Sequence, residues 1–375
     1  GELDFFYLLP RSRNIEVRKF DGYVEFDISE PGQVSVEFEP GIYIDHPMPI
    51  FADPLETRVR DPDAPNVLYY GPGMHQLDEP RFVESDQTIY LAGGAYVKGQ
   101  FYSENRERIK VYGRGILSGQ DFPVRTGNHM LQFTDTHNLE IHGITIIHAP
   151  RYCVRLTGYN HRVRNVKMMG WWFSTDGVQP GRSSIVENCF FKVNDDAIKL
   201  YKSNTIARHN VIWQMENGAP FQIGWSGEGT YRNFHAYDID VIRVEHEWDN
   251  ENEAVFCAIM GEGGHKYNYL YEDIRIDNSD WRIFHLITKP NRWAQWDPEK
   301  GNISDITFRN IEFYGKPRIR SLIMGHDKHH MVYNITFENL VINGEQILSA
   351  EQGDIIVDPE TTRNIKFKAS PLDKE

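Results

Sequence analysis

Cysteine is scarce in this chain of 375 residues, and what there is cannot staple a fold. Cys153, Cys189 and Cys257 are an odd number at wide spacing, each inside an apolar stretch such as Glu187-Asn188-Cys189-Phe190-Phe191, and they read as buried free thiols. A chain of this length buries an adequate core without cross-links. Long apolar runs are also missing. None approaches the ~18 residues of a membrane-spanning helix, and the start at Gly1 shows neither a basic n-region nor an apolar h-region, so a signal peptide is expected to be gone already. Positive charge is in short supply: 40 basic against 54 acidic side chains leave a net charge of −14, which argues against a phosphate backbone as partner and mildly against a strongly anionic polymer. A neutral ligand is the default. No long stretch keeps a 3.6-residue apolar period, which excludes a solenoid built of helices.

Aromatic residues, by contrast, are plentiful, with 8 Trp and 19 Tyr, and the surplus suits either a sugar-binding groove or core packing. From about residue 106 a pattern recurs: two apolar residues one apart, a corner, then two more. The clearest copies are Leu139, Ile141, Ile144, Ile146; Tyr269, Tyr271, Ile274, Ile276; Ile306, Phe308, Ile311, Phe313; and Ile335, Phe337, Leu340, Ile342. Weaker copies begin at Ile109, Val166, Val186, Ala207, Phe234 and Ile365. The two period-2 segments meet at corners such as His142-Gly143, Arg309-Asn310 and Glu338-Asn339, which marks bent strands. Such a unit cannot bury its apolar side alone and must stack on copies of itself, so the expected fold is an all-β, right-handed parallel β-helix. A propeller would need four antiparallel strands per unit, and tight-hairpin signals are few.

The front of the chain reads differently. Alternating segments at Tyr23 to Asp27 and Val34 to Phe38, with Pro-Gly at 31–32 and 40–41, carry a small β-sandwich signature, and Asp61-Pro62-Asp63-Ala64-Pro65 reads as a linker. The expected division is a supporting module at 1–65 and a β-helix at 66–375, with 71–95 as its entry coil.

Equal offsets in a solenoid fall at equal places around the coil. Asp176 lies ten residues after Val166, and Asp196 ten after Val186, so the two carboxylates should stack about 4.8 Å apart. In a regular strand Asp195 would face the other way; a bulge or corner would bring all three together. Crowded carboxylates raise at least one pKa, which keeps one acid protonated beside an ionised base, as glycosidic cleavage requires. Asp ladders in solenoid turns can also be structural or bind calcium, and that reading stays open.

The surrounding residues, Ser174-Thr175-Asp176-Gly177-Val178-Gln179 and Val193-Asn194-Asp195-Asp196-Ala197-Ile198-Lys199-Leu200, resemble the active-site motifs of the β-helical clan of the polygalacturonases (glycoside hydrolase family 28) and the dextranases and isopullulanases (family 49). The Gly-His-Gly of family 28 is absent, and Phe221-Gln222-Ile223-Gly224-Trp225 stands about where it would be; with Ile212-Trp213 and Ala258-Ile259-Met260-Gly261, the order of segments is similar to the dextranases, over roughly 160–290. That resemblance implies an inverting glycoside hydrolase acting on an α-glucan such as dextran or pullulan, without a cofactor or metal. It makes Asp195 the general acid, with Asp176 and Asp196 holding and activating water. Inversion ordinarily needs carboxyls about 6.5 to 9.5 Å apart, more than direct stacking gives.

Candidate substrate contacts are Lys199, Gln179, Gln222 and Trp225 on neighbouring coils, and Lys289 and Trp293 in an insert that lengthens its coil. Lys199 suits an ion pair equally. His265 and the Asp327-Lys328-His329-His330 cluster lack further metal ligands at recognisable spacing and read as ordinary loops, and nothing singles out Glu228, Glu253 or Glu262. The alternatives are a hydrolase of pectin or another polysaccharide, a lyase on the same fold with Lys199 or Lys289 as base, and a non-catalytic carbohydrate-binding solenoid. A polymeric substrate implies a secreted or periplasmic location; neither nucleic acid nor a membrane is an expected partner.

Overall fold

The computed structural model describes residues 5–224, 229–247, 253–261, 263–288 and 301–369. The chain from Val67 onward winds as the expected right-handed parallel β-helix. A 20-stranded sheet carries two strands of most coils, and an 11-stranded sheet, from Arg81–Phe82 to Ile355–Val357, carries the third. In the later coils the two segments of the repeat fuse into the bent strands Tyr231–Val244, His265–Ser279, Asn302–Gly315 and Val332–Ile342. Between its two segments each carries a left-handed corner residue, Asp238, Asp273, Asn310 or Asn339, with φ between 49° and 55°, and each has a further one nearer its start, at Asn233, Asn268, Asp305 or Asn334. Asn and Asp tolerate that region because their short side chains bond locally, which is why the corner residues recur.

Equivalent residues stack coil on coil. Tyr271, Phe308, Phe337 and Phe367 form one column with ring centroids 5.1, 5.2 and 4.7 Å apart, and Phe221, Phe256 and Phe284 another at 5.3 and 5.4 Å. These offset stacks bury large apolar areas and fix the register of successive turns.

The register corrects part of the repeat read from the sequence. Ile141 pairs with Val163, Val163 with Val186, Val186 with Ala207 and Ala207 with Ala236, so Val186 and Ala207 hold the second position of their units. Val166 belongs to the next strand, on the level of Cys189. The true first positions of these three coils are His161, Ser184 and Thr205, all buried, and polar residues on the inward row hid the start of each unit.

Ahead of the coils, Tyr7–Leu9, Gly32–Glu37 and Met48–Ala52 form a three-stranded antiparallel sheet, and Val17–Phe20 with Tyr23–Phe26 a separate hairpin. This part packs on the flank of the helix. Leu9 and Ile44 join Phe190, Val211, Trp213 and Ile242 in one apolar cluster. Lys167 reaches Asp53 Oδ2 at 2.6 Å, and buried Arg243 donates to Glu37. No disulfide forms, and all three cysteines are buried.

Candidate active site

The 11-stranded sheet sets the site, because Val178 pairs with Ile198 and so places Asp176 level with Asp196 on adjacent coils. The ten-residue offsets gave the right stacking from starts that are not equivalent. On the neighbouring sheet the same two coils are 23 residues apart (Lys167 with Phe190), but here only 20. The difference is three extra residues between Gly170 and Gly177, the segment that carries Trp171 and Trp172.

A bend at Asn194 and Asp195 then turns the third carboxylate onto the face of the other two. One oxygen from each of Asp176, Asp195 and Asp196 lies within 4.8 Å of the others, and no other such acidic group occurs among the described residues. The bend is held from below. Asn194 donates from Nδ2 to the Trp171 carbonyl (2.9 Å) and accepts the Asn217 N–H (3.0 Å), while Gln214 Nε2 donates to the Asp195 carbonyl (3.0 Å). Gly218 closes the corner: its φ is +83°, and a Cβ there would stand 2.3 Å from the Asp195 carbonyl carbon. Only glycine meets both demands.

Lys199, one face-turn along from Asp196, is buried with its Nζ 2.6 Å from Asp176 Oδ1 and 2.6 Å from Asp196 Oδ2. It also lies 5.0 and 5.3 Å from the ring centres of Tyr152 and Tyr201. Asp196 Oδ1 accepts the Ala219 N–H at 3.0 Å. Among the described residues no cation is ion-paired with Asp195, which accepts the Asp196 N–H at 3.0 Å and is only half-buried.

Three carboxyls against one ammonium leave an excess of negative charge out of water. Burial, then the charge of Asp196, raises the Asp195 carboxyl to about 6. Burial pushes Asp176 well above the ordinary carboxylate range, against the pull of Lys199, and Asp195 and Asp196 add to the rise. For Lys199, burial works against the charge, but the two carboxylates outweigh it and hold the ammonium well above its usual pKa. The cluster thus keeps a proton in mild acid, and Asp195 is the member with access to a ligand. A divalent ion offered to these three acids would have to displace that ammonium.

The other expected contacts divide. Gln179 is nearly buried on the level of Lys199, and Gln222, one coil further, is fully buried with neither amide atom bonded. Trp225, Lys289 and Trp293, with Glu228 and Glu262, lie outside the described residues. His265 donates or accepts with Ser304 (2.7 Å), and Asp327 caps its own turn through the His329 and His330 N–H groups, as local loop chemistry. Trp171 and Trp172, 37% and 50% exposed, stand in the segment that leads into Asp176 and are not among the residues expected from the sequence; Trp171 Nε1 donates to His148 Nδ1 at 3.2 Å. Two adjacent indoles directly ahead of Ser-Thr-Asp-Gly were the available signal.

No family model matches the chain. A dextranase from Arthrobacter sp. (strain CB-8) is 29% identical over 207 residues, covering 47% of this chain and 32% of that protein. Isopullulanase from Aspergillus niger is 25% identical over 377 residues, covering 80% and 65%. The chain is a relative of the dextranases and of isopullulanase. It spans less than two thirds of either relative's length. In structure, Dex49A from Penicillium minioluteum superposes with a TM-score of 0.78 at 18% identity, over 98% of this chain and 79% of that one. An exopolygalacturonase from Thermotoga maritima follows with 0.60 at 16%, over 80% and 84%. The similarity to dextranases and isopullulanase that the Asp-Gly and Asp-Asp motifs suggested is therefore present in the sequence, and the fold is the β-helix expected with it.

Proposed function

We propose that the protein is a glycoside hydrolase acting on an α-glucan of the dextran or pullulan kind. Asp195 protonates the leaving glycosidic oxygen, and Asp176 and Asp196 hold and activate the water. The observation that carries this reading is the half-buried Asp195 carboxyl, raised to about 6, beside two carboxylates pinned by one ammonium. An acid with that pKa is protonated for transfer in mild acid and returns to its ionised form near neutrality. Outward from Lys199 the earlier coils present Gln179, Arg155, Gln132 and Tyr102 on one row, groups suited to sugar hydroxyls, and Trp171 and Trp172 offer faces for a pyranose ring.

The carboxyls stand closer than the ~6.5 Å gap usual for inversion, which favours a retaining path through a carboxylate nucleophile as a second reading. Inversion is preferred because Lys199 bridges Asp176 and Asp196 at 2.6 Å from each, an arrangement that holds the two carboxyls side by side to take one water between them. Lys199 is a poor lyase base for the same reason, since its ammonium is stabilised. The polymeric substrate supports a secreted or periplasmic protein, and residues 1–65 serve as a supporting module for the helix at 66–375.

The test is a screen against dextran, pullulan, polygalacturonate and galactans, reading reducing ends beside absorbance near 235 nm, with Asp195→Asn as control. Reducing ends from an α-glucan without absorbance, lost in the mutant, support the proposal. Absorbance would indicate a lyase, and binding without turnover would leave a carbohydrate-binding solenoid. The anomer released first, followed by proton NMR, separates inversion from retention.

A further inference from the structure

Where the front part of the chain meets the coils, a cavity of about 470 Å³ lies beside Trp171. Its volume suits a small ligand. Tyr43 lines it from the front, Met169, Trp171 and Met215 line it from the coils, and Lys192 and Glu245 bring buried charge to it. Lys192 and Glu245 are only 6% and 5% exposed, yet their charged ends stand 3.9 Å apart, too far for a hydrogen bond.

The indole of Trp213 takes up part of each. Lys192 Nζ lies 3.3 Å from the centre of its ring, and its Nε1 donates to Glu245 Oε1 at 2.7 Å. Among the described residues neither Lys192 Nζ nor Glu245 Oε2 has a hydrogen-bond partner, and neither atom is sealed from water. Lys167, on the neighbouring strand of the same sheet and also buried, shows the closed alternative, with Asp53 Oδ2 at 2.6 Å. Burial lowers the Lys192 ammonium to about 8 and raises the Glu245 carboxyl, as expected of two charges short of partners.

That pair selects its ligand. One ammonium and one carboxylate cancel, so an anion loses to Glu245 what it gains from Lys192, and a cation the reverse; exposed Asp45, also on the wall, turns anions away further. What is left open is one donor and one acceptor side by side. A hydroxyl accepts from the first and donates to the second. Tyr43 and Trp171, 44% and 37% exposed, are tied by hydrogen bonds to the Glu245 carbonyl and to His148 Nδ1, at 3.2 Å in each case, and offer ring surface to a pyranose. We propose that this cavity is a second, non-catalytic saccharide site, which holds one or two neutral sugar units between the front part and the coils through Lys192 and Glu245. Its choice of sugars rests on the α-glucan reading of the active site, but its contacts include none of the three aspartates.

The experiment is calorimetric titration of the full chain carrying Asp195→Asn with isomaltotriose and with maltotriose, repeated with Lys192→Met and with Tyr43→Ala added. For at least one sugar, a binding event is expected that each folded variant weakens tenfold or more. Thermal melting establishes which variants are folded, and the exposed position of Tyr43 keeps the test decisive should Lys192→Met not fold. Silence with both sugars, or binding indifferent to the folded variants, overturns the proposal. So does tighter binding of citrate or spermidine than of either sugar at a site sensitive to these changes, since the pair would then serve a charged ligand. Sensitive binding by a protein that hydrolyses no glucan would overturn the active-site reading alone.

Discussion

Charge is buried at several places among the described residues, and two of them are built to opposite rules. Where the front sheet meets the helix, Arg243 and Glu37 are both fully buried, and their hydrogen-bonding groups are largely used. Arg243 donates to Glu37 and to the carbonyls of Gly41 and Ile42 (2.5 and 2.8 Å), and Ser35 donates to Glu37 at 2.8 Å. Charge there is balanced. At Asp176, Asp195 and Asp196, three carboxyls share one ammonium, and the imbalance appears as raised carboxyl pKa values. Balanced burial holds two parts of a chain together; unbalanced burial stores a proton.

The sharpest break of that comparison is Asp195→Asn. Geometry at the bend survives, because the backbone is held by Gln214 and Gly218, but proton donation is lost. Turnover of an unactivated glucan should fall about 10³-fold or more, with the mutant still folded, as judged by initial rates and circular dichroism. Retained activity within tenfold would remove Asp195 from the acid role. At the balanced pair the loss should be the reverse. Arg243→Met strands the Glu37 carboxylate and should cost about 3–5 kcal/mol in urea unfolding, while the rate per folded molecule stays that of the native protein.

How much of this was legible beforehand follows from what the residues signal locally. The late coils announced themselves because Tyr271, Phe308 and Phe337 are apolar at inward positions with period 2. The middle coils did not, because His161, Ser184 and Thr205 take the first inward place, and a pattern of hydrophobicity cannot see a buried polar residue. The three aspartates are legible as a group; the bend that joins them is not, since it rests on Asn194, Gln214, Asn217 and Gly218, contributed by separate turns. That Lys199 bridges two carboxylates was one of two open readings, for which spacing had no answer. The Arg243 to Glu37 pair spans 206 positions and was invisible in the sequence.

Lys199 sharpens the comparison from the other side. Lys199→Met removes the cation that lowers Asp176, so the Asp176 carboxyl should stay protonated to higher pH. The expected result is about a hundredfold loss of kcat/KM at pH 5, shrinking toward pH 8, with the acid limb of the profile displaced upward. A uniform loss at every pH would make Lys199 a positioning residue only.

The smallest effect tests the stored proton directly through stability. The folded Asp195 carboxyl titrates at about 6, whereas an unfolded one titrates near ~3.9. Below both values each state is protonated, and above both each is ionised; between them the folded state holds more protons. Unfolding free energy from this group therefore falls as pH rises from about 4 to about 6 and stays lowered beyond. Asparagine cannot ionise, so Asp195→Asn should melt a few degrees above the native protein at pH 7, roughly 2–4 °C for a chain of this size, with the gap closing toward pH 4. Asp176, raised for the same reason, contributes a fall of the same sign in both proteins, reduced in the mutant because one neighbouring charge is gone. Parallel melting curves across that window would mean that Asp195 is ionised throughout, and the proton needed for cleavage would have to reside on Asp176.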